Sequence, residues 1–385
     1  MRGSSPLKAL EHKVAAIMAS TERLPHFSLA TALSGGALIY GAAMRLRDSF
    51  YKQGVFPLHN LPCPVISIGN LVVGGSGKTP LTIRLARVLQ GMGLRVMIVS
   101  RGYRGEGERR GTIVSDGRTI LCDGRQAGDE PFLMATLLGS VPVVVGRDRW
   151  AAGRDGLKRF KPDLILLDDA FQHRRLARDL NLVLMDFKAP LGNGHLLPRG
   201  PLREPVSALN RADAIIFTRC EGDKTSQYLD VVQTIYPKPF FHARHLPVVR
   251  CIIPAGESLS VEKLSLTIKE PVSDLRGQAL FAFAGLARNQ EFYATIDRMG
   301  GSLLGTMGFA DHHPYQAGEL EQIAAEAQHK GCNAMVTSDK DFVRLPVMTM
   351  PLDLIVLGID IDFGTDAPKW QRFIANKIAA AGGAL

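Results

Sequence analysis

The sequence predicts an α/β protein with a mainly parallel sheet, a second and smaller α/β lobe, and an N-terminal membrane-associated helix. Three observations carry this. From residue 65 onward, short apolar, β-branched runs alternate with stretches of helical periodicity, the pattern of a parallel sheet covered on both faces. A glycine-rich turn, Gly74-Gly75-Ser76-Gly77, stands between the first such run and the first such helix. Ahead of both, residues 24–44 hold no Asp, Glu, Lys or Arg.

The charge-free run just reaches the length of about 20 residues that a spanning helix needs. Ser, Thr, His and the pair Gly35-Gly36 dilute it, and basic residues flank both ends: Arg2, Lys8, Lys13 and Arg23 before, Arg45, Arg47 and Lys52 after. Such flanks set no orientation. The expectation is a helix lying in, or dipping into, the cytoplasmic face of a membrane, within an N-terminal segment of residues 1–60. The competing reading is a helix buried on the soluble body.

The chain of 385 residues suits more than one lobe. With 46 Lys and Arg against 37 Asp and Glu, its formal charge is +9, which favours anionic partners. No RNA-recognition, zinc-finger or helix-turn-helix pattern occurs, so no nucleic-acid partner is expected. The five cysteines are scattered, with no C-x-x-C pair, which argues against a disulfide framework or a zinc site.

Residues 65–68 (VISI) read as a buried strand. The glycine turn follows, then Lys78-Thr79 and a helix over 81–89. Strand, glycine loop and helix in that order are the setting of a P-loop. Glycines let main-chain N–H groups converge on phosphates, and the helix N-terminus adds partial positive charge. Lys78 can reach the β/γ oxygens, and the Thr79 hydroxyl can hold Mg²⁺. The nucleotide-binding set is therefore Gly74, Gly75, Ser76, Gly77, Lys78 and Thr79, in a P-loop NTPase-like core. The strict pattern has Gly where this chain has Val72.

Further strands are expected over 95–100, 141–146, 163–167, 182–186 and 214–218. Ligands of such sheets sit beyond the strands' carboxyl ends, so residues just after each strand become candidates. Asp168 and Asp169 close an apolar strand in the manner of a Walker B carboxylate. Asp129, ahead of a helix over 132–138, reads by itself as an N-cap. Arg147 and Arg149 follow the 141–146 strand, and either can neutralise a transferring phosphoryl group. A loop-like stretch over 254–270 marks a boundary between a core of residues 61–270 and a lobe of residues 271–385. In that lobe strands are expected over 279–284, 303–307, 334–337 and 354–357, and helices over 290–299 and 317–330. Asp311-His312-His313 forms a turn after the 303–307 strand. Adjacent residues point apart, so at most one imidazole serves a given site.

Taken together, the blocks SIGNLVVGGSGKTP (67–80), SRGYRG (100–105), GDEP (128–131), GRDR (146–149), LILLDDAFQHRRLARDL (164–180), LLPRGPLREP (196–205), FADHHPY (309–315) and VTSDKDFVRL (336–345) resemble one family, the tetraacyldisaccharide 4′-kinases of Gram-negative bacteria. The resemblance implies phosphorylation by ATP, with Mg²⁺, of the 4′-hydroxyl of an acylated glucosamine disaccharide 1-phosphate, giving lipid IVA at the cytoplasmic face of the inner membrane. It also implies roles: Asp129 as catalytic carboxylate, supported by a histidine of the DHH turn with His312 ahead of His313; Arg149 as the phosphoryl-stabilising residue; Asp168 and Asp169 beside the metal; and Glu204 as a further carboxylate near metal or nucleotide. Two departures touch turn glycines: Ala170 where the family has Gly in DDGFQH, and Ala284-Gly285-Leu286-Ala287-Arg288 for AGIG-P. A membrane-attached regulatory ATPase, needing no acceptor, is the first alternative. A DHH-type metal phosphoesterase is the second, but it needs further Asp-rich motifs that this sequence lacks.

Overall fold

The computed structural model describes residues 6–20, 28–220, 232, 236–264 and 274–382. In chain order the elements are α1 (Pro6–Ala19), α2 (Leu29–Lys52), β1 (Val65–Asn70), α3 (Lys78–Gly91), β2 (Val96–Ser100), β3 (Thr112–Asp116), α4 (Gly124–Ala127), α5 (Asp129–Leu138), β4 (Pro142–Val145), α6 (Arg149–Phe160), β5 (Leu164–Leu167), β6 (Leu180–Asp186), β7 (Ala214–Thr218), β8 (Phe240–His242) and β9 (Arg244–Ile253). There follow β10 (Ala279–Ala284), α7 (Asn289–Arg298), β11 (Ser302–Gly308), α8 (Ala317–His329), β12 (Ala334–Ser338), α9 (Asp339–Phe342), β13 (Asp353–Asp362) and α10 (Ala367–Ala380). Two compact units interleave along the chain. One takes Met1–Lys78, Leu167–Arg244 and Asp362–Leu385; the other takes Thr79–Leu166 and His245–Ile361.

In the first unit β6 pairs in parallel with β1 on one side and β7 on the other, and β7 pairs with β8. Every residue of β1 is buried, as a central parallel strand requires. Gly69 within it has a steric cause: a Cβ there would lie 2.5 Å from the Cβ of Phe171 and 2.8 Å from its backbone nitrogen. Phe171, Val183, Met185, Leu209 and Phe217 form the apolar core on that side. Full burial of each such side chain contributes about 1.5–3 kcal/mol. α10 closes the unit through Trp370, which stacks on Phe363 at 4.6 Å and meets Phe241 edge-on at 5.1 Å.

The expected charge-free run becomes α2 from Leu29; residues 24–27, with Arg2 and Arg23, lie outside the described residues. Ala30, Ala37 and Gly41 are buried. Two glycines allow the 196–198 loop to approach: a Cβ on Gly41 would lie 2.8 Å from Leu196 Cδ1, and one on Gly36 would lie 3.2 Å from Pro198 Cγ. Tyr40 donates its hydroxyl to the Arg203 carbonyl at 2.7 Å, Arg47 pairs with Glu204, and Arg174 pairs with Asp48. The opposite face is open, with Leu38 73% and Ile39 76% exposed. Among the described residues α2 alone is long and apolar enough to cross a membrane. α1 docks by its last turn, where Arg199 donates to the Ile17 carbonyl at 2.7 Å.

In the second unit one sheet portion runs β3-β4-β2-β5, with β2 and β4 parallel and β3 antiparallel to β4. A separate five-stranded sheet runs β11-β10-β12-β13-β9, and β10 pairs in parallel with both β11 and β12. Leu280, Ala282, Tyr293, Ile296 and Val336 are buried together between strands and α7. Sequence periodicity does not reveal β3 or β9. Both carry polar or charged residues at half-exposed positions, and β9 includes Pro247, which weakens a strand pattern. The expected loop over 254–270 is described as far as Leu264; residues 265–270 lie outside the described residues.

Candidate active site

In the first unit the glycine loop leaves β1 and enters α3 at Lys78. Gly74 has φ +114° and Gly77 φ +85°, values that a side chain disfavours. Around Gly74 there is space for a Cβ, so backbone conformation rather than crowding calls for glycine. Val72 departs from the strict pattern at no cost, because its backbone is extended and bridged antiparallel to Leu202. Val73 N–H donates to the Pro201 carbonyl at 2.8 Å, and Arg203 N–H donates to the Leu71 carbonyl at 2.7 Å.

The rest of the loop is held from neighbouring strand ends. Asn70 donates its amide to Ser76 Oγ at 2.9 Å, and the Thr218 hydroxyl donates to the Ser76 carbonyl at 3.1 Å. Arg219 donates to the Gly75 carbonyl at 2.9 Å and pairs with Asp186 at 2.6 Å. Gln172 donates to the Asn70 carbonyl at 2.8 Å. These contacts fix the loop before any ligand arrives, which lowers the entropy cost of binding.

Lys78 faces the end of β5, its Nζ 3.7 Å from Asp169 Oδ1. Arg203 donates to both oxygens of that carboxylate at 3.0 and 3.1 Å. Asp169 has φ +45°, an uncommon conformation for a residue with a side chain. Asp168 beside it is fully buried. Ala170, where the family has glycine, is not the left-handed position; its N–H donates to the Ile68 carbonyl at 3.1 Å. Glu204, expected near metal or nucleotide, is buried and pairs with two guanidiniums, those of Arg47 and Arg211. Through Arg47 it ties α2 to the 196–205 loop.

The second unit holds the other group. Gly128, at φ +84°, turns the chain into α5 so that Asp129 begins the helix. Asp129 Oδ2 accepts a hydrogen bond from His312 Nδ1 at 2.6 Å. The expectation had set these residues on separate lobes; both fall in one unit, so the pair forms within it. His312 takes φ +63°, and the Tyr103 ring meets its imidazole edge-on at 6.3 Å. His313 turns elsewhere and bonds Glu319 at 3.0 Å. The turn itself hangs on Arg344, whose guanidinium donates to the carbonyls of His313 at 3.1 Å and Gly285 at 3.2 Å and stands 3.5 Å from Asp129 Oδ2. Arg344 is anchored in turn by Asp341 at 2.7 Å. Asp341 is fully buried and also accepts from Tyr315, the Gly285 N–H and Ser338, at 2.9, 2.9 and 2.6 Å. Burial, reinforced by the Asp341 charge, pushes the Tyr315 phenol far above its ordinary value, so it stays a neutral donor. Gly285 survives from the family's AGIG-P pattern because a Cβ there would lie 2.9 Å from the Ala310 carbonyl.

Arg149 is buried at the start of α6, behind its N-cap Asp148, and donates to the Arg147 carbonyl at 3.2 Å. Thr79, also buried, follows Lys78 directly. Sequence reasoning missed Arg203, Arg219 and Arg344. Arg219 follows a strand end and was reachable by the same rule that found Asp169. Arg203 stands beside Glu204 in a motif block from which only Glu204 was chosen, and Arg344 stands in the 336–345 block, from which no site residue was chosen.

A family model described as tetraacyldisaccharide-1-P 4′-kinase matches residues 29–379. The tetraacyldisaccharide 4′-kinase of Desulfatibacillum aliphaticivorans is 40% identical over 343 residues, covering 89% of this chain and 91% of that protein. The one from Geobacter metallireducens is 41% identical over 339 residues, covering 88% and 95%. A crystal structure of the "apo" form of LpxK from Aquifex aeolicus in complex with ATP superposes with a TM-score of 0.70 at 30% identity, over 91% of this chain and 100% of that one. The family match takes in both the glycine loop with its Lys78–Asp169 contact and the Asp129–His312 pair, and on that footing the chain belongs to the tetraacyldisaccharide-1-phosphate 4′-kinase family.

Proposed function

We infer that the protein transfers the γ-phosphate of ATP to the 4′-hydroxyl of an acylated glucosamine disaccharide 1-phosphate, forming lipid IVA in lipid A synthesis. One observation carries this beyond ATP binding. Besides the glycine loop, the chain holds a carboxylate hydrogen-bonded to an imidazole at 2.6 Å, Asp129 with His312. A regulatory ATPase has no need of such a pair, whereas a sugar hydroxyl must lose its proton.

In this reading the main-chain N–H groups of residues 74–79 and the Lys78 ammonium bind the phosphates. Asp129 accepts the hydroxyl proton, with His312 orienting the carboxylate and Arg344 holding the turn behind it. Arg149 stabilises charge on the phosphoryl group. Thr79, Asp168 and Asp169 supply hard oxygen donors of the kind Mg²⁺ takes. The bound Mg²⁺ would neutralise charge on the β- and γ-oxygens. The assay is transfer of label from ATP to a purified disaccharide lipid 1-phosphate. Label appearing on the lipid is the expected result; ATP consumption indifferent to the acceptor would instead favour the regulatory ATPase.

The protein also sits, in this reading, at the cytoplasmic face of the bacterial inner membrane. Support comes from the two faces of α2: one is bonded into the first unit through Tyr40, Arg47 and Asp48, the other exposes Leu38, Ile39 and Leu46. A helix so anchored on one side suits the interface plane. Substituting both Leu38→Asp and Ile39→Asp should lower co-sedimentation with anionic vesicles by about tenfold or more, since each buried aliphatic side chain contributes about 1.5–3 kcal/mol. Unchanged binding would refute the assignment of this face.

A further inference from the structure

Within the first unit a run of polar contacts leads from α2 to the phosphate-binding lysine. Tyr40 donates its hydroxyl to the Arg203 carbonyl at 2.7 Å. The Arg203 N–H donates to the Leu71 carbonyl at 2.7 Å, and the Val73 N–H to the Pro201 carbonyl at 2.8 Å, both at the entry to the glycine loop. The Arg203 guanidinium then holds Asp169 at 3.0 and 3.1 Å, and Asp169 lies 3.7 Å from Lys78 Nζ.

The segment that carries Arg203 is closed on itself, so it passes a displacement on rather than absorbing it. Leu197 N–H donates to the Leu202 carbonyl at 3.0 Å, Leu202 N–H to the His195 carbonyl at 3.1 Å, and Gly200 N–H to the Leu196 carbonyl at 2.9 Å. Leu196 and Pro198 approach α2 at Gly41 and Gly36, and Arg199 donates to the Ile17 carbonyl of α1 at 2.7 Å. Glu204, the residue after Arg203, is buried and pairs with Arg47 of α2. The helix therefore grips the chain at Arg203 and again at Glu204. The opposite face of α2 exposes Leu38 and Ile39, next to Tyr40, and Leu46, next to Arg47. Water does not favour that exposure. A lipid surface favours α2 seated with this face outermost, which is the seat that places Tyr40 on Arg203. A ligand shifts an equilibrium only by the difference in its affinity for the two states, and here the difference is whether these side chains reach lipid.

We propose that Tyr40 is a positioning residue through which membrane contact at α2 tightens the hold of the glycine loop on ATP. Its hydroxyl fixes Arg203, Arg203 fixes Asp169, and Asp169 sets where the Lys78 ammonium stands. The proposal rests on the membrane and nucleotide readings above. It needs no phosphoryl acceptor, so it is tested without one.

The test measures, on the full-length protein, calorimetric affinity for ATP with Mg²⁺ in the absence and presence of vesicles of phosphatidylcholine and phosphatidylglycerol. Vesicles should raise ATP affinity about fivefold or more, an ordinary size for coupling between two sites. Linkage then requires ATP to raise vesicle affinity by the same factor, a reciprocity that a residue serving the fold alone leaves unmoved. Tyr40→Phe keeps the ring and removes only the hydroxyl, so folding should be preserved. It should bind vesicles as the native protein does when ATP is absent, and bring both factors below about twofold, since one neutral hydrogen bond is comparable in size to the coupling itself. Full coupling retained in Tyr40→Phe would overturn the role of Tyr40. Native protein that binds vesicles but holds ATP equally with and without them would end the coupling and leave the membrane reading standing. Native protein that binds no vesicle would end the membrane reading, and the coupling with it.

Discussion

An Asp129→Asn protein should bind ATP as the native protein does and turn over about 10²–10⁴-fold more slowly, the usual worth of general-base assistance. The substitution keeps size and shape and removes the negative charge. Asp129 stands at the first turn of α5, 2.6 Å from His312 Nδ1 and 3.5 Å from Arg344 Nε. Both neighbours are supported independently of it: His312 by the turn that Arg344 holds, and Arg344 by fully buried Asp341. The site should therefore keep its form while losing the group that accepts the acceptor's proton. The effect belongs in kcat, because proton acceptance matters in the transition state rather than in substrate binding. Single-turnover transfer with both substrates saturating measures it, and a melting temperature near the native one separates chemistry from folding. A variant retaining native kcat would remove Asp129 from the mechanism. His312→Gln should cost less, since it takes away an orienting partner and leaves the carboxylate.

Lys78→Ala should lower kcat/KM for ATP by about 10²–10³-fold or more, the range found when one preorganised donor to a charged transition state is removed. Lys78 is the first residue of α3, and its side chain is largely buried with Nζ 3.7 Å from Asp169. Its charge thus has little competing solvation, which strengthens its action on bound phosphate. Lys78→Arg should rescue poorly: a planar guanidinium is larger than an ammonium and reaches phosphate with a different geometry. The check is nucleotide affinity by calorimetry beside steady-state kinetics. If Lys78→Ala bound and transferred phosphate normally, the glycine loop would be a structural turn only.

Much of this arrangement was legible in the residues. The strand ahead of the glycine loop, the helix after it and the acidic end of β5 all appear where short-range patterning puts them. The limits of that reading are instructive at particular positions. Val72 looked like a defect in the loop pattern, but bridging to Leu202 makes the backbone there extended, so no glycine is required. Gly36 looked like dilution of an apolar helix, and together with Gly41 it admits the Leu196–Pro198 loop. Glu204 reads as a carboxylate near metal or nucleotide, and nothing in its neighbourhood along the chain reveals its pairing with Arg47 of α2.

What the sequence by itself determined is local: which stretches turn, extend or coil, since backbone conformation answers to neighbours a few residues away. Which charged group meets which was settled by the tertiary structure alone. Asp129 and His312 are 183 residues apart in the chain, and Arg47 and Glu204 are 157 apart. A carboxylate carries no mark of its eventual partner; folding brings one cation within reach and excludes the rest, and in a poorly solvated interior that choice decides whether it holds a helix, a metal or a proton.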